Sequence, residues 1–131
     1  MALSTCWVAT SGAEAGHDAA GKPVGFLCAE AFGAELHIWE LAVAQDAQGA
    51  GLGAQLMQQA ITCATRDSRF ARLTLTTFRD VPFNAPFYKR LGFGVLNDSE
   101  LDVRLEQTLA AGEAHGLPRG IRCAMQLEIS R

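Results

Sequence analysis

The chain has 131 residues, of which 49% are hydrophobic and 19% are charged, so it fits one globular domain with one core. Its formal net charge of −3 argues against a nucleic-acid binder, because such proteins usually carry a basic face. It contains no apolar run of about 18 residues, and its start, MALSTCWVATSGAE, has neither a basic end nor a long apolar stretch, so it predicts no membrane partner, no membrane span and no signal peptide.

The first third of the chain predicts three strands. They are residues 5–10 (TCWVAT), 23–32 (PVGFLCAEAF) and 35–44 (ELHIWELAVA). Each is a largely apolar run bounded by turn-forming residues, and Gly33 and Ala34 supply the turn between the last two. The spacing favours an antiparallel hairpin or meander, with the small and polar residues 11–22 as a surface loop.

A polar loop at residues 45–47 precedes a change to helical periodicity. One apolar face recurs at spacings of four, four and three residues, formed by Leu52, Leu56, Ala60 and Cys63. This pattern predicts a helix from residue 50 to about residue 67. The alternating residues 72–78 (RLTLTTF) predict the next strand. A strand–helix–strand order predicts that strands 35–44 and 72–78 are parallel, with a right-handed connection.

The last third of the chain predicts two further helices and two strands. In chain order these are residues 84–91, 93–96, 99–114 and 121–129. Asn84 is expected to cap the first of these helices, which has Pro86 in its first turn and Gly92 at its end. Ser99 and Asp102 are expected to form a variant capping box on the second. The predicted fold class is α/β, with helices on a mixed sheet.

The cysteines and two of the histidines carry little functional signal. The four cysteines are scattered and include no CxxC pair; they are Cys6, Cys28, Cys63 and Cys123. We interpret them as buried free thiols in a reducing compartment, which predicts a cytoplasmic protein. His17 and His115 lie in loop-like surroundings and are expected at the surface. No His, Cys and Asp cluster has the spacing of metal ligands, so no metal cofactor is predicted.

Three glycines, Gly49, Gly51 and Gly53, lie where the central helix begins. Glycine costs a helix about 1 kcal/mol relative to alanine. Without side chains, however, the free N–H groups of a first helical turn can reach a phosphate, which the helix dipole also favours. A flexible loop in a chain rich in alanine and glycine is the alternative interpretation. The pattern is neither a Walker A loop nor a GxGxxG motif.

Two motifs together resemble the GNAT superfamily of N-acetyltransferases. Residues 41–53 (LAVAQDAQGAGLG) are similar to the family's strand end followed by Gln/Arg-x-x-Gly-x-Gly/Ala, matched by Gln48, Gly51 and Gly53. Residues 84–93 (NAPFYKRLGF) are similar to its Asn-x-x-aromatic-Tyr-x-x-x-Gly-Phe segment. Two motifs in the family's order are far more specific than either alone. The resemblance implies a GNAT-like acyl-CoA N-acyltransferase fold.

The resemblance also implies direct transfer of an acetyl group from acetyl-CoA, as co-substrate, to a primary amine of a small molecule or peptide. The diphosphate would lie on the amides of the glycine turn. The pantetheine arm would pair with strand residues 41–43 if that strand splays from strand 72–78. The implied cofactor contacts are Leu41, Ala42, Val43, Gln48, Gly49, Ala50, Gly51, Leu52, Gly53, Ala54, Asn84 and Tyr88. Helix capping alone would also explain Asn84.

The alternatives to this function keep the same cofactor turn. One is a CoA-binding module without catalysis, which acts as a regulatory or assembly subunit. The other is a phosphate- or nucleotide-binding enzyme that uses the same helix terminus.

The candidate catalytic residues are one acid and two alternative bases. Tyr88 occupies the family's general-acid position, and a phenol of pKa near 10 suits a departing thiolate. His37, whose ordinary pKa is near 6.5, is the first candidate base and Glu40 is the second. A structural role in the core is the alternative for Tyr88 and His37, and Glu35 is expected to be a solvated turn residue. On a regular strand His37 and Glu40 face opposite sides, although a bulge would break that parity.

The chain departs from the family pattern at its start. Only two predicted strands precede residue 35, so the family's usual first strand and the two helices after it have no place. Three explanations stay open: a compact member with an open acceptor site, a homodimer whose second subunit supplies the missing wall, or a piece of a longer protein. If the wall is absent, apolar surface should be exposed on that side unless a partner covers it.

Overall fold

The computed structural model describes residues 4–10, 23–49, 51–82, 84–117 and 120–130. Within them a mixed sheet is flanked by helices. The strands are β1 Ser4–Thr10, β2 Pro23–Phe32, β3 Glu35–Val43, β4 Arg72–Phe78, β5 Gly94–Val95 and β6 Arg122–Glu128. The helices are α1 Leu52–Arg66, α2 Ala85–Arg90 and α3 Val103–Ala114, and two short 3-10 turns cover Gln45–Ala47 and Asp98–Glu100. The predicted α/β class is confirmed.

The strands lie in the order β1-β2-β3-β4-β6-β5. The first three form an antiparallel meander, as the sequence predicted. β3 and β4 are parallel and are joined by α1, which confirms the predicted crossover unit. β6 pairs antiparallel with both β4 and the short β5. The sheet is therefore mixed, and its one parallel pair lies at the centre.

The two faces of the sheet differ in what covers them. α1 packs against β1, β2, β3 and β4 through buried Leu56, Met57, Ala60 and Ala64, because its apolar face follows the helical repeat. α3 packs against β4 and β6 on the opposite face, with Leu105 buried. On the β1–β3 part of that second face Val8, Phe26 and Trp39 are exposed. This part of the sheet therefore exposes apolar side chains to solvent.

The segment before α3 differs from the prediction. The predicted helix 99–114 is divided, because Leu101 is extended (φ −73°, ψ 131°) between the second 3-10 turn and α3. The capping box lies at Asn97 and Glu100, and Asp102 caps α3 by accepting a hydrogen bond from the Leu105 N–H (2.8 Å). The predicted Ser99–Asp102 box is wrong, because Ser99 lies inside the 3-10 turn, whereas Asn97 and Asp102 are the N-caps of the two helical segments. The other element bounds differ from the predicted ones by a few residues.

The cysteine interpretation is corrected by the strand register. Cys6 and Cys28 occupy directly paired positions of β1 and β2 and form a disulfide, with their Cα atoms 4.3 Å apart. Cys63 is an exposed free thiol, and Cys123 is a buried one. Of the four cysteines, only Cys123 is therefore the buried free thiol that the sequence predicted. The sequence spacing of cysteines does not reveal a cross-strand pair, because the register of two strands decides which residues meet.

In the described part of the chain, every helix is too short or too polar to cross a membrane. The same residues contain no group of three or more His, Cys, Asp or Glu side chains that could hold a metal ion.

Candidate active site

β3 and β4 separate halfway along their length. Their pairing runs from Glu35 with Arg72 to Ile38 with Leu75 and ends there, although both strands continue. The expected splay is therefore confirmed. Beyond Ile38, the β3 backbone at residues 39–43 pairs with β2 but has no β4 partner, so the edge of β3 that faces β4 is open to another chain or a ligand.

The glycine turn lies beside this free strand edge. Gly49 and Gly51 have φ values of +88° and +80°, a left-handed conformation that glycine adopts without strain. Gly51 is the N-cap of α1, so the amides that follow it belong to the first turn and have no intrahelical acceptor. The Gln48 Nε2 group donates to the Val43 carbonyl (3.1 Å) and ties the turn to the end of β3.

A cleft of about 400 Å³ joins the turn to the strand edge. Of the residues implied to contact the cofactor, the cleft is lined by Leu41, Val43, Gln48, Gly49, Gly51, Leu52, Gly53 and Ala54. Ala50 lies outside the described residues. The sequence reasoning missed two lining residues, Phe87 and Arg90. The signal for Arg90 was a basic residue in the last turn of the helix that carries the second motif.

The cleft fits a diphosphate-bearing ligand with an amide arm. It combines free first-turn amides, an adjacent arginine and an unpaired strand edge, the groups that bind phosphate oxygens and peptide-like groups.

The remaining implied contacts lie around this cleft. Ala42 pairs with Phe26 on β2. Asn84 is the N-cap of α2, but its side chain makes no capping bond; its Oδ1 accepts a hydrogen bond from the Thr77 hydroxyl (2.8 Å). The expectation that the Asn84 side chain caps the helix is therefore wrong, because Thr77 on β4 competes for its oxygen.

Tyr88 directly follows Phe87, which lines the cleft. Tyr88 is only 9% exposed. Its ring packs edge-on against the rings of Phe87 and Phe93, with 5.1 Å and 6.0 Å between the ring centres. Burial raises the pKa of Tyr88 above its ordinary value of 10.0. The phenol therefore holds its proton throughout the neutral range.

A bulge in β3 decides which face carries the candidate bases. Cys28 pairs with Glu40, and the next residue of β2, Ala29, pairs with Ile38. Trp39 is therefore an extra residue in β3 without a partner in β2, and Glu30 then pairs with His37. Cys28 and Glu30 share one face of β2, and their partners must share it too. Glu40 and His37 therefore lie on the same face, against the parity of a regular strand, because the bulge shifts the alternation by one residue.

The bulge also moves the residues that follow it to the α1 face. Leu41 and Val43 lie within 3.9 Å of where a side chain at Gly53 would begin. The cleft-lining end of β3 and its two candidate bases therefore lie on opposite faces of the sheet.

His37 is fully buried, with 0% exposure. Its Nδ1 atom lies 2.8 Å from the Thr74 hydroxyl, and its Nε2 atom finds no hydrogen-bond partner among the described residues. Burial, and then the charge of Arg104, lower the pKa of His37 to about 3. The expected pKa near 6.5 is therefore wrong, since the protonated ring would lose its water inside the protein.

The carboxylates near His37 have opposite environments. Glu40 is exposed. Glu35 is buried and pairs with Arg72 (2.9 Å) and Arg104 (2.6 Å), so the expectation of a solvated turn residue is wrong. Burial of a carboxylate is tolerable only with such partners. His115 is exposed at the end of α3, as expected, and residue 17 lies outside the described residues.

Solved structures of other proteins share this fold, among them the following three. An acetyltransferase from Bacillus cereus has a TM-score of 0.64 and 21% identity, over 98% of this chain and 74% of that chain. N-acetylglutamate synthase from Neisseria gonorrhoeae, complexed with coenzyme A and N-acetyl-glutamate, has a TM-score of 0.66 and 20% identity, over 85% of this chain and 24% of that chain. PaiA N-acetyltransferase from Thermoplasma acidophilum, in complex with coenzyme A, has a TM-score of 0.59 and 15% identity, over 85% of this chain and 57% of that chain.

At these identities the likeness concerns the fold, and this chain spans less than two thirds of the last two proteins. The family described as "Acetyltransferase (GNAT) domain" matches residues 2–95 by sequence. That match covers most of the chain and both motifs of the cleft, and we conclude that the chain belongs to the GNAT family of acetyltransferases.

Proposed function

We propose that the protein is an N-acetyltransferase that moves the acetyl group of acetyl-CoA directly to a primary amine of a small molecule or peptide. The observation that carries this proposal is the cleft in which the glycine turn meets the free edge of β3. Coenzyme A in two structures of the same fold supports it. The amides after Gly51 and the Arg90 guanidinium would hold the diphosphate, and Leu41 and Val43 would hold the pantetheine arm.

Acetyl-CoA supplies an activated acyl group whose leaving group is a thiolate. The protein must therefore remove a proton from the amine and provide one to sulfur. For a lysine-like amine of pKa near 10.4, loss of the proton at pH 7 costs about 4.6 kcal/mol. A positioned base lowers the barrier to that step.

We propose Glu40 rather than His37 as that base. Glu40 is exposed and follows the bulge, next to the place where β3 leaves β4. His37 has no solvent access and a lowered pKa, which makes its ring a weak proton acceptor. In this mechanism His37 is a positioning residue that packs beneath Trp39, with 4.5 Å between the ring centres.

We propose that Tyr88 is the general acid. As the amine nitrogen bonds to the acetyl carbon and the carbon–sulfur bond breaks, the electron pair goes to sulfur and the Tyr88 hydroxyl donates its proton there, while the nitrogen loses its second proton to solvent. Solvent then reprotonates the phenolate. The raised pKa of Tyr88 keeps the acid form available at neutral pH.

A CoA-binding module without catalysis is the second candidate. The packing of Tyr88 between Phe87 and Phe93 is also what a structural aromatic residue would show. Such a module would act as a regulatory or assembly subunit and would use the same cleft.

We further propose that the protein works in the cytoplasm, without nucleic acid or a membrane as partner. The net charge of −3 supports the first of these exclusions. In that compartment the Cys6–Cys28 disulfide would be subject to reduction. A homodimer is a further proposal, in which the second subunit would supply the missing wall of the acceptor site.

The Tyr88→Phe variant tests the proposal. We expect turnover to fall about 100-fold or more, because the acid is lost, while the Kd of acetyl-CoA stays within about threefold of wild type, since the ring is kept. Turnover is read as released thiol and the Kd by calorimetry. Unchanged turnover would remove Tyr88 as the acid, and a change confined to affinity would favour the module.

Thermal unfolding with acetyl-CoA, ATP and NAD tests the ligand itself. A ligand at 100 times its Kd stabilises the native state by about 2.7 kcal/mol. We expect the largest increase in Tm with acetyl-CoA. A larger increase with ATP would contradict the assignment.

A further inference from the structure

The β1–β3 part of the sheet face opposite α1 carries an unusual set of exposed apolar side chains. Val8 is 59% exposed, Trp39 48% and Phe26 37%. Val8 pairs with Phe26, and the next row of the same face holds Glu40 opposite Cys28. Phe26 is therefore a diagonal neighbour of the proposed base, within reach of an aromatic side chain.

Trp39 is exposed but held in one orientation. Its indole N–H donates to the Glu30 carboxylate (2.8 Å), and its ring meets His37 (4.5 Å) and Phe32 (6.1 Å) edge-on. A large side chain that is both solvent-exposed and fixed is typical of a binding surface, because the entropy of ordering it is lost before a ligand arrives.

The charges around Trp39 select the sign of a ligand. Glu40 and Glu30 lie on this face with the aromatic rings. Arg72 and Arg104 share the one buried carboxylate of Glu35, whereas Glu30 and Glu40 form no ion pair with any other described residue. An ammonium group is therefore attracted to this face, and the indole ring adds a cation–π contribution. A carboxylate would meet like charges.

The geometry points to an acceptor that is a primary amine carrying an aromatic or alkyl group and no carboxylate next to the amine. We call Phe26, Trp39 and Glu40 the acceptor face. The amine lies at Glu40, and the apolar group packs on Trp39 and Phe26. The amine then reaches the thioester from the face opposite the cofactor cleft, through the gap between β3 and β4. This inference rests on the proposed transfer reaction and names its substrate class.

A small amine fits this face better than a second copy of the chain. The solvent-exposed area of Phe26, Trp39 and Val8 together is roughly 300 Å², given about 150–250 Å² for a whole aromatic side chain. A stable dimer buries roughly 800 Å² on each partner. The apolar patch alone is therefore too small for a dimer and large enough for an aromatic or short alkyl group.

Matched amines test the substrate class. Phenethylamine and ethylamine differ by the ring, and phenethylamine and phenylalanine differ by the carboxylate. We expect kcat/KM for phenethylamine to exceed that for each of the other two at least tenfold. In parallel, calorimetry on the protein saturated with coenzyme A, which cannot react, should show phenethylamine binding at least tenfold more tightly than either.

Variants locate the effect on the acceptor face. Trp39→Ala should raise the KM for phenethylamine about tenfold more than the KM for ethylamine and leave the Kd of acetyl-CoA nearly unchanged, whereas Trp39→Phe should restore much of the preference. Val103→Ser is the matched control, because Val103 is also exposed (67%) but lies on α3. A merely structural role of Trp39 would instead lower both reactions equally.

The outcomes separate this inference from the proposed function. Selective binding of phenethylamine without any acetylation would overturn the transfer reaction and uphold the acceptor class. Equal binding of the three ligands would overturn the acceptor class, whatever the turnover. A wild-type dimer that Trp39→Ala dissociates in analytical ultracentrifugation, without amine preference, would make this face a subunit interface and would also overturn it.

Discussion

His37 shows how burial changes the chemistry of a single residue. As a histidine on the strand that leads to the glycine turn, it is a natural candidate base by sequence. In the fold its ring bonds Thr74 and is shielded from water, which lowers its pKa to about 3. The same imidazole therefore packs in neutral form on the second face of the sheet, and we assign the proposed proton transfer to the exposed Glu40 carboxylate instead.

The neutral state of His37 predicts a pH-dependent stability. The unfolded chain protonates His37 below pH 6.5 and the native state only near pH 3, so stability is lost as the pH falls between these values. From pH 7 to pH 5 this linkage amounts to about 2 kcal/mol. Urea unfolding of wild type and His37→Gln at both pH values should show that the variant lacks this part of the loss. Equal losses in both proteins would mean that native His37 titrates normally.

Glu40 carries the corresponding kinetic prediction. Glu40→Gln removes the base but keeps the shape of the side chain, so we expect kcat/KM at pH 7 to fall about 100-fold with an unchanged Kd for acetyl-CoA. Raising the pH should recover part of the rate, since more of the amine is then neutral. If His37→Gln had this kinetic signature and Glu40→Gln did not, the assignment of the two residues would be reversed.

At the scale of elements, the bulge in β3 and the turn before α1 build the site. The bulge at Trp39 places His37, Trp39 and Glu40 on one face and sends Leu41 to the other. The turn presents amides because Gly51 adopts a left-handed conformation. The bulge and the turn are each a local departure from regular structure, and such departures are common next to active sites.

Gly51 and Gly53 form a matched pair for a prediction about the turn. Gly51→Ala should cost about 1 kcal/mol of stability, because alanine is strained at this positive φ, and should weaken acetyl-CoA binding at least tenfold. Gly53→Ala adds a methyl group at ordinary contact distances of 3.7–3.9 Å from Phe87, Leu41 and Val43. It should raise stability by roughly 0.5–1 kcal/mol and weaken acetyl-CoA binding less than Gly51→Ala does. Urea unfolding and calorimetry measure both, and similar effects of the two substitutions would contradict a left-handed role for Gly51.

At the scale of the whole molecule, the sheet separates two tasks. The face covered by α1 and α2 carries the proposed cofactor cleft, and the opposite face, beside α3, carries the proposed acceptor residues. The gap between β3 and β4 connects them. Direct transfer needs such an arrangement, because the two substrates must meet at one carbon from different directions.

The Cys6–Cys28 disulfide joins the first two strands of the meander and leads to a prediction about the stability of the whole protein. A cross-link between residues 22 apart in sequence stabilises the native state by about 3 kcal/mol through the restricted unfolded chain. We expect a reductant to lower the free energy of unfolding by about this amount. The double variant Cys6→Ser and Cys28→Ser should not respond to it. Alkylation of the unfolded, unreduced protein should modify two thiols, and four would mean that the bond is absent.

Local patterns in the sequence determined the order and type of most elements, the glycine turn and the family. The periods of 2.0 and 3.6 residues reflect which side chains face a core, and the glycines and Pro86 reflect backbone conformations that few residues adopt. Only the tertiary structure decided the bulge at Trp39, the Cys6–Cys28 pair, the burial of Glu35 and His37, and the approach of Arg90 to the cleft. These depend on register and on contacts between residues far apart in the chain, and no local pattern carries that information because distant partners set burial and charge.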